Sequence, residues 1–206
     1  MIRIAAQLNT VRAYCGTQKE FLDTLSRIRA LGFDGVELES SLLKNADRQT
    51  VACHLKELGL EVCSIRSPFA RTGYGLEDMI AEAKAMNCVN VGVGTVTASY
   101  FTMGPAGMEK YLEQASKVCG KFSQEGVRPL YSLRFHEFMR QSDGVWPFDK
   151  LADRPETSDY LWETDVLSLT RTAVEPPKIF SRLAGRMPVC RLSDQKIREN
   201  ETYFFY

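Results

Sequence analysis

One short run of residues recurs along this chain and limits its fold more than any other feature. It reads Leu31-Gly32-Phe33-Asp34-Gly35-Val36-Glu37, then Leu58-Gly59-Leu60-Glu61-Val62, then Gly126-Val127-Arg128-Pro129-Leu130. Each copy closes a stretch of helical period and sets a glycine where a helix needs a left-handed C-cap. An apolar run of strand character follows. Gly185, ahead of Val189, marks a fourth junction of the same kind. A chain that repeats a helix-to-strand step builds βα units around a parallel sheet.

The strand candidates are Ile2 to Leu8, Gly35 to Leu38, Glu61 to Arg66, Val89 to Val93, Arg128 to Arg134, Tyr160 to Asp165 and Val189 to Leu192. Between them fall helices over Lys19 to Leu31, Asp47 to Leu58, Leu76 to Met86, Pro105 to Gln124, Pro147 to Ala152 and Pro176 to Leu183. In the first, Phe21, Leu25, Ile28 and Leu31 form one apolar face for packing on a sheet. The repeated step favours a barrel over a doubly wound sheet, and either arrangement gathers functional residues where strands run into loops. No glycine-rich phosphate loop follows the first strand, where Gln7-Leu8-Asn9-Thr10-Val11-Arg12 stands, so a dinucleotide-binding fold is disfavoured. Gly92-Val93-Gly94 reads as close backbone packing.

At 206 residues the chain is expected to form a single domain, 1–206. Lys and Arg together number 26, as do Asp and Glu, so no overall field draws the protein to nucleic acid or to an anionic membrane. The six cysteines are scattered without metal-site spacing and read as reduced, buried thiols. With neither a signal-like leader nor a membrane-spanning run, the cytoplasm is the expected compartment.

Four segments carry a resemblance to a known family: Gln7 to Arg12, Leu31 to Glu37, Trp162-Glu163-Thr164-Asp165, and Gly185-Arg186-Met187-Pro188-Val189-Cys190-Arg191-Leu192-Ser193-Asp194. In this order they resemble the sugar phosphate isomerase/epimerase family with its xylose-isomerase-like barrel. The resemblance implies an α/β fold, an incomplete (β/α)8 TIM-type barrel lacking a clear eighth βα unit. It also implies a divalent metal such as Mn or Mg, held after the fifth to eighth strands. Here the fifth-strand position falls on Ser132, the sixth on Asp165 and the seventh on Arg191, and no eighth strand is evident. One strong ligand of four remains, so no metal site and no cofactor are expected. His136 and Glu137 are the substitute ligands to check.

Arginine stands at three positions where the resemblance places histidine: Arg66, Arg134 and Arg191. Guanidiniums bind carboxylates and phosphates in bidentate fashion, so a metal-free anion pocket is expected. Gln7, Arg66, Arg134 and Arg191 are its substrate-binding candidates, and Glu37 and Asp165 its proton-transfer candidates. The resemblance thus implies an isomerase or epimerase acting on a small sugar, sugar phosphate or hydroxy acid. A pseudoenzyme that binds an anionic metabolite without turnover is the alternative, and a remnant unable to close its core is a third reading. The partner expected is a small anionic metabolite or sugar. The unpaired edges of an incomplete barrel also suggest a homodimer.

The aromatic end Thr202-Tyr203-Phe204-Phe205-Tyr206 reads as β-prone. His54 reads as a surface or helix-packing residue with no partner in the sequence, and Trp146 as core in preference to a sugar-stacking ring. Trp162, three residues before Asp165, should face away from it on a strand. Ser67-Pro68 restricts a loop, and Pro176-Pro177 suits a first helical turn.

Overall fold

The computed structural model describes residues 2–172, 174–198 and 201–205, and of residues 98, 101, 194–198 and 201–205 the backbone alone. Seven strands form one sheet in chain order: β1 (Ala5–Gln7), β2 (Gly35–Glu39), β3 (Glu61–Arg66), β4 (Asn90–Gly92), β5 (Arg128–Leu133), β6 (Leu161–Asp165) and β7 (Val189–Arg191). A doubly wound sheet reverses its order partway, and this one does not. The topology is that of a TIM-type (β/α) barrel lacking its eighth unit. Helices α1 (Gln18–Ala30), α2 (Ser40–Leu43), α3 (Arg48–Leu58), α4 (Leu76–Ala85), α5 (Ala98–Thr102), α6 (Gly104–Gln124), α7 (Pro147–Ala152), α8 (Val166–Thr170) and α9 (Pro176–Arg182) lie between the strands. A separate antiparallel pair, β8 (Asp194–Arg198) and β9 (Glu201–Phe205), follows. The β-prone tail is therefore a strand, while Tyr206 lies outside the described residues.

The chain divides into two compact units, Met1–Val93 with Glu125–Val127, and Gly94–Gln124 with Arg128–Tyr206. In the first, β1 to β4 pair in parallel. Thr17 and Glu20 close a capping box that starts α1, and Asp47 caps α3 through the Thr50 N–H. Gly59 ends α3 at φ 66°, as its step in the sequence requires. Phe21, Leu25 and Ile28 of α1 and Val51 and Leu55 of α3 are buried with Val36, Leu38 and Ile65 of the sheet. Each such side chain contributes about 1.5–3 kcal/mol through burial. The first strand is shorter than the expected Ile2 to Leu8. Ile2 and Ile4 are exposed, and Leu8 turns into a 3-10 segment, Leu8–Tyr14, that buries it.

In the second unit β5, β6 and β7 pair in parallel. The long α6 buries Met108, Tyr111, Leu112, Ala115, Val118, Cys119 and Phe122, a stripe at spacings of three and four. Gly107 permits α6 to approach α5, because a Cβ there would sit 2.0 Å from the Tyr100 carbonyl oxygen. Behind α6 the core is aromatic. Tyr131 stacks on Tyr160 at 5.9 Å and meets Trp162 at 5.2 Å, and Phe148 meets Trp162 edge-on at 5.9 Å. The buried hydroxyls of Tyr111 and Tyr160 bond to each other at 3.0 Å.

Candidate functional site

Strand alternation gives each unit a polar sheet face opposite its core. In the first unit this face carries Gln7, Glu37, Glu39, Ser64 and Arg66. Gln7 is in register with Glu37, Glu37 with Ser64, and Glu39 with Arg66. The register shifts between Val36 and Glu37, where β3 carries one extra residue. Without that bulge Glu37 would oppose Cys63, so the shift brings the Ser64 hydroxyl to the carboxylate. Glu37 is only 4% exposed. It accepts from Gln7 Nε2 at 2.6 Å and from Ser64 Oγ at 3.1 Å. The half-buried Arg66 guanidinium stands 3.7 Å from Glu37 and 3.9 Å from Glu39, beyond hydrogen-bond reach of either. Gln7, Glu37 and Arg66 thus stand together. Ser64 and Glu39 are additions whose only sequence signal was polar alternation along β2 and β3.

A buried ion network fixes the loops that follow these strands. Arg71, in the turn after β3, donates to Glu82 of α4 at 2.7 Å and also to Asp78. Glu82 accepts further from Ser40, just past β2, at 2.9 Å and from Arg48 at 3.0 Å. Burial pushes the Asp78 carboxyl up, but the guanidiniums of Arg48 and Arg71 outweigh it and hold the group below the ordinary aspartate range. Gly92 of β4 packs closely on β3, where a Cβ would meet Arg66 Cα at 3.2 Å.

In the second unit the polar face carries Ser132, Glu163, Asp165 and Arg191, with Ser132 in register with Glu163 and Asp165 with Arg191. Arg191 forms a buried ion pair with Glu163, a partner the sequence reading did not foresee. Asp165 caps α8 through the Leu167 N–H at 3.1 Å, and it also accepts from Ser168 and Ser193. Arg134 follows β5, and its backbone N–H donates to Glu137 at 2.8 Å. Glu137 also accepts from the hydroxyls of Tyr131 and Thr95, while His136 Nε2 lies 2.9 Å from Thr95 Oγ1. Glu137 is therefore bound to Tyr131, whose side chain leaves β5 on the face opposite Ser132, and His136 is held by Thr95 and Glu137.

Those residues do not fit the divalent metal that the fold implies. A hard cation takes six or more oxygen ligands, or a compact set of nitrogen and carboxylate donors. At the corresponding positions stand a serine, an aspartate already engaged as a cap, and a guanidinium that repels cations. Among the described residues no group of three or more His, Cys, Asp or Glu side chains is placed to hold a metal.

Trp162 is fully buried in the aromatic core and faces away from Asp165, as expected. Trp146 lies at its edge with Arg140 over the ring at 5.3 Å. His54 packs between α1 and α3 and does have partners, Ser26 Oγ at 2.9 Å and Glu57 at 3.7 Å. All six cysteines are free, but Cys53 and Cys190 are exposed, which corrects the reading of uniformly buried thiols. No helix among the described residues is long and apolar enough to cross a membrane.

No family model matches the chain, and no curated protein matches it in sequence. Solved structures do match in fold. The probable 3-DHS dehydratase AsbF of petrobactin synthesis from Bacillus anthracis aligns with a TM-score of 0.74 at 13% identity, covering 97% of this chain and 76% of that one. A sugar phosphate isomerase/epimerase from Parabacteroides distasonis aligns at 0.70 and 11% identity, over 91% and 73% of the two chains. An L-ribulose 3-epimerase aligns at 0.71 and 18% identity, over 93% and 70%. At such identities the likeness is one of fold. The chain has the xylose isomerase-like TIM-barrel fold of the sugar phosphate isomerases and epimerases.

Proposed function

We propose that the protein is an isomerase or epimerase acting on a small sugar, sugar phosphate or hydroxy acid, with Glu37 as the proton-transferring carboxylate. The observation that carries this reading is the buried Glu37, oriented by Gln7 and Ser64 beside the Arg66 guanidinium on a polar strand face. A carboxylate fixed in this way removes a proton from carbon alpha to a carbonyl. The electron pair moves to the carbonyl oxygen, where Arg66 stabilises the enediolate. For isomerisation the hydroxyl proton passes between the two oxygens and Glu37 returns its proton to the neighbouring carbon on the same face; for epimerisation the opposite face takes its proton from water. Asp165 acts here as a positioning residue, because its oxygens serve the α8 cap and Ser193. Names of structural neighbours support the substrate class, an L-ribulose 3-epimerase among them.

The alternative, binding of an anionic metabolite without turnover, is favoured by one observation. The second polar face commits Asp165 to a cap and Glu163 to Arg191, leaving the proton transfer to the first face. Incubating the protein with ketoses, sugar phosphates and 2-hydroxy acids in D2O, followed by proton NMR, separates the two. Loss of a C–H signal with growth of an isomer supports catalysis. Ligand-dependent thermal stabilisation with no exchange supports binding alone.

A further inference from the structure

In the first unit, the strand ends beside the Glu37 face are pinned by one carboxylate. Glu82 of α4 is 1% exposed and accepts four hydrogen bonds, from Ser40 Oγ at 2.9 Å, Arg48 Nη2 at 3.0 Å, and Arg71 Nη1 and Nη2 at 2.7 and 3.1 Å. Ser40 directly follows Glu39, the last residue of β2. Arg71 Nη1 also donates to Ser67 Oγ at 3.5 Å, and Ser67 directly follows Arg66, the last residue of β3. Glu39 and Arg66 are in register, so Glu82 holds the residues just past a facing pair.

The link from this network to Arg66 is short and stiff. Pro68 biases Ser67 toward extended backbone, and the Ser67 N–H donates to the Gly92 carbonyl at 3.0 Å. The Arg71 N–H in turn donates to the Pro68 carbonyl at 3.0 Å. A buried ion pair adds little net stability over well-packed apolar side chains, because desolvation offsets the attraction. What a bidentate guanidinium–carboxylate pair does add is a fixed geometry. At the far end of the link, the Arg66 guanidinium stands 3.7 Å from Glu37 and 3.9 Å from Glu39, short of closing on either.

We infer that Glu82 is a positioning residue for Arg66: by holding the ends of β2 and β3 through Ser40 and Arg71, it keeps the guanidinium beside Glu37 without letting it close into a direct pair. The catalytic consequence rests on the Glu37 reading, whereas the positioning itself does not. The Arg66 Nε–H signal, followed by NMR in the full chain, reads the positioning without any substrate. Glu82→Gln should shift that signal in a protein of unchanged circular dichroism. It should also lower deuterium exchange into a turned-over substrate about tenfold at saturation, with KM within about twofold of the wild type. Ser40→Ala, a milder change that keeps the Glu82 charge and lies far from Arg66 in sequence, should move the signal in the same direction by less. Asp78→Asn leaves both strand-end contacts of the network in place and should move neither signal nor exchange. An unmoved Arg66 signal in Ser40→Ala and in folded Glu82→Gln, an equal shift in Asp78→Asn, or a moved signal with undiminished exchange would overturn the inference. If the wild type exchanges no substrate proton, the Glu37 reading fails and the Arg66 signal still decides the positioning.

Discussion

The two units place carboxylates at equivalent depths on their polar strand faces and use them in opposite ways. In the first, Glu37 is oriented by neutral donors, Gln7 and Ser64, with a guanidinium close by but outside hydrogen-bond reach. In the second, Glu163 is locked to Arg191, and Asp165 is spent on the start of α8. A direct, buried guanidinium contact turns a carboxylate into part of the structure. The cores differ as well, aliphatic behind the first face and aromatic behind the second.

The contrast is broken most sharply at the arginines. Arg191→Met leaves Glu163 charged and buried, so it should destabilise the protein by about 3–5 kcal/mol, whereas Arg66→Met should cost under about 1 kcal/mol. Equal costs in urea unfolding would erase the distinction between a locked and a poised guanidinium. Next in size is Tyr131→Phe, which removes a donor to Glu137 and should cost about 1–3 kcal/mol. The same unfolding measurement checks it.

A smaller effect concerns acid. Asp78 has a folded pKa below its ordinary value, so its contribution is complete above the unfolded pKa and is lost as pH falls through the folded one. Because Asp78 is half exposed, solvent screening keeps that contribution under about 1 kcal/mol. Asp78→Asn should therefore lower the melting temperature slightly at pH 6, by a difference that shrinks as pH falls through the folded pKa. The smallest perturbation is chemical: a disulfide reagent at pH 8 should label Cys53 and Cys190 in the native protein. It should spare Cys88 and Cys119, which burial pushes up to about 11 and about 12.

Much of this architecture was legible in the residues. The strands and the six longest helices follow from local period and from glycine caps, because Gly32, Gly59, Gly126 and Gly185 all adopt the positive φ that their positions require. What escaped was short or non-local. The four- and five-residue helices α2, α5 and α8 carry too little sequence to show a period. Proximity of Gln7, Glu37 and Arg66 was readable from strand ends, but Ser64 reaches Glu37 only through a bulge. The pairing of Arg191 with Glu163 depends on register between two strands, which composition does not reveal.

The most direct test of the account compares deuterium uptake from D2O into a turned-over substrate by the wild type, Glu37→Gln and Asp165→Asn. The account predicts that Glu37→Gln lowers exchange at least a hundredfold while staying folded. It predicts that Asp165→Asn keeps exchange within about fivefold and loses only about 1 kcal/mol of stability as its cap weakens. Undiminished exchange in Glu37→Gln, or its abolition in a folded Asp165→Asn, would contradict it.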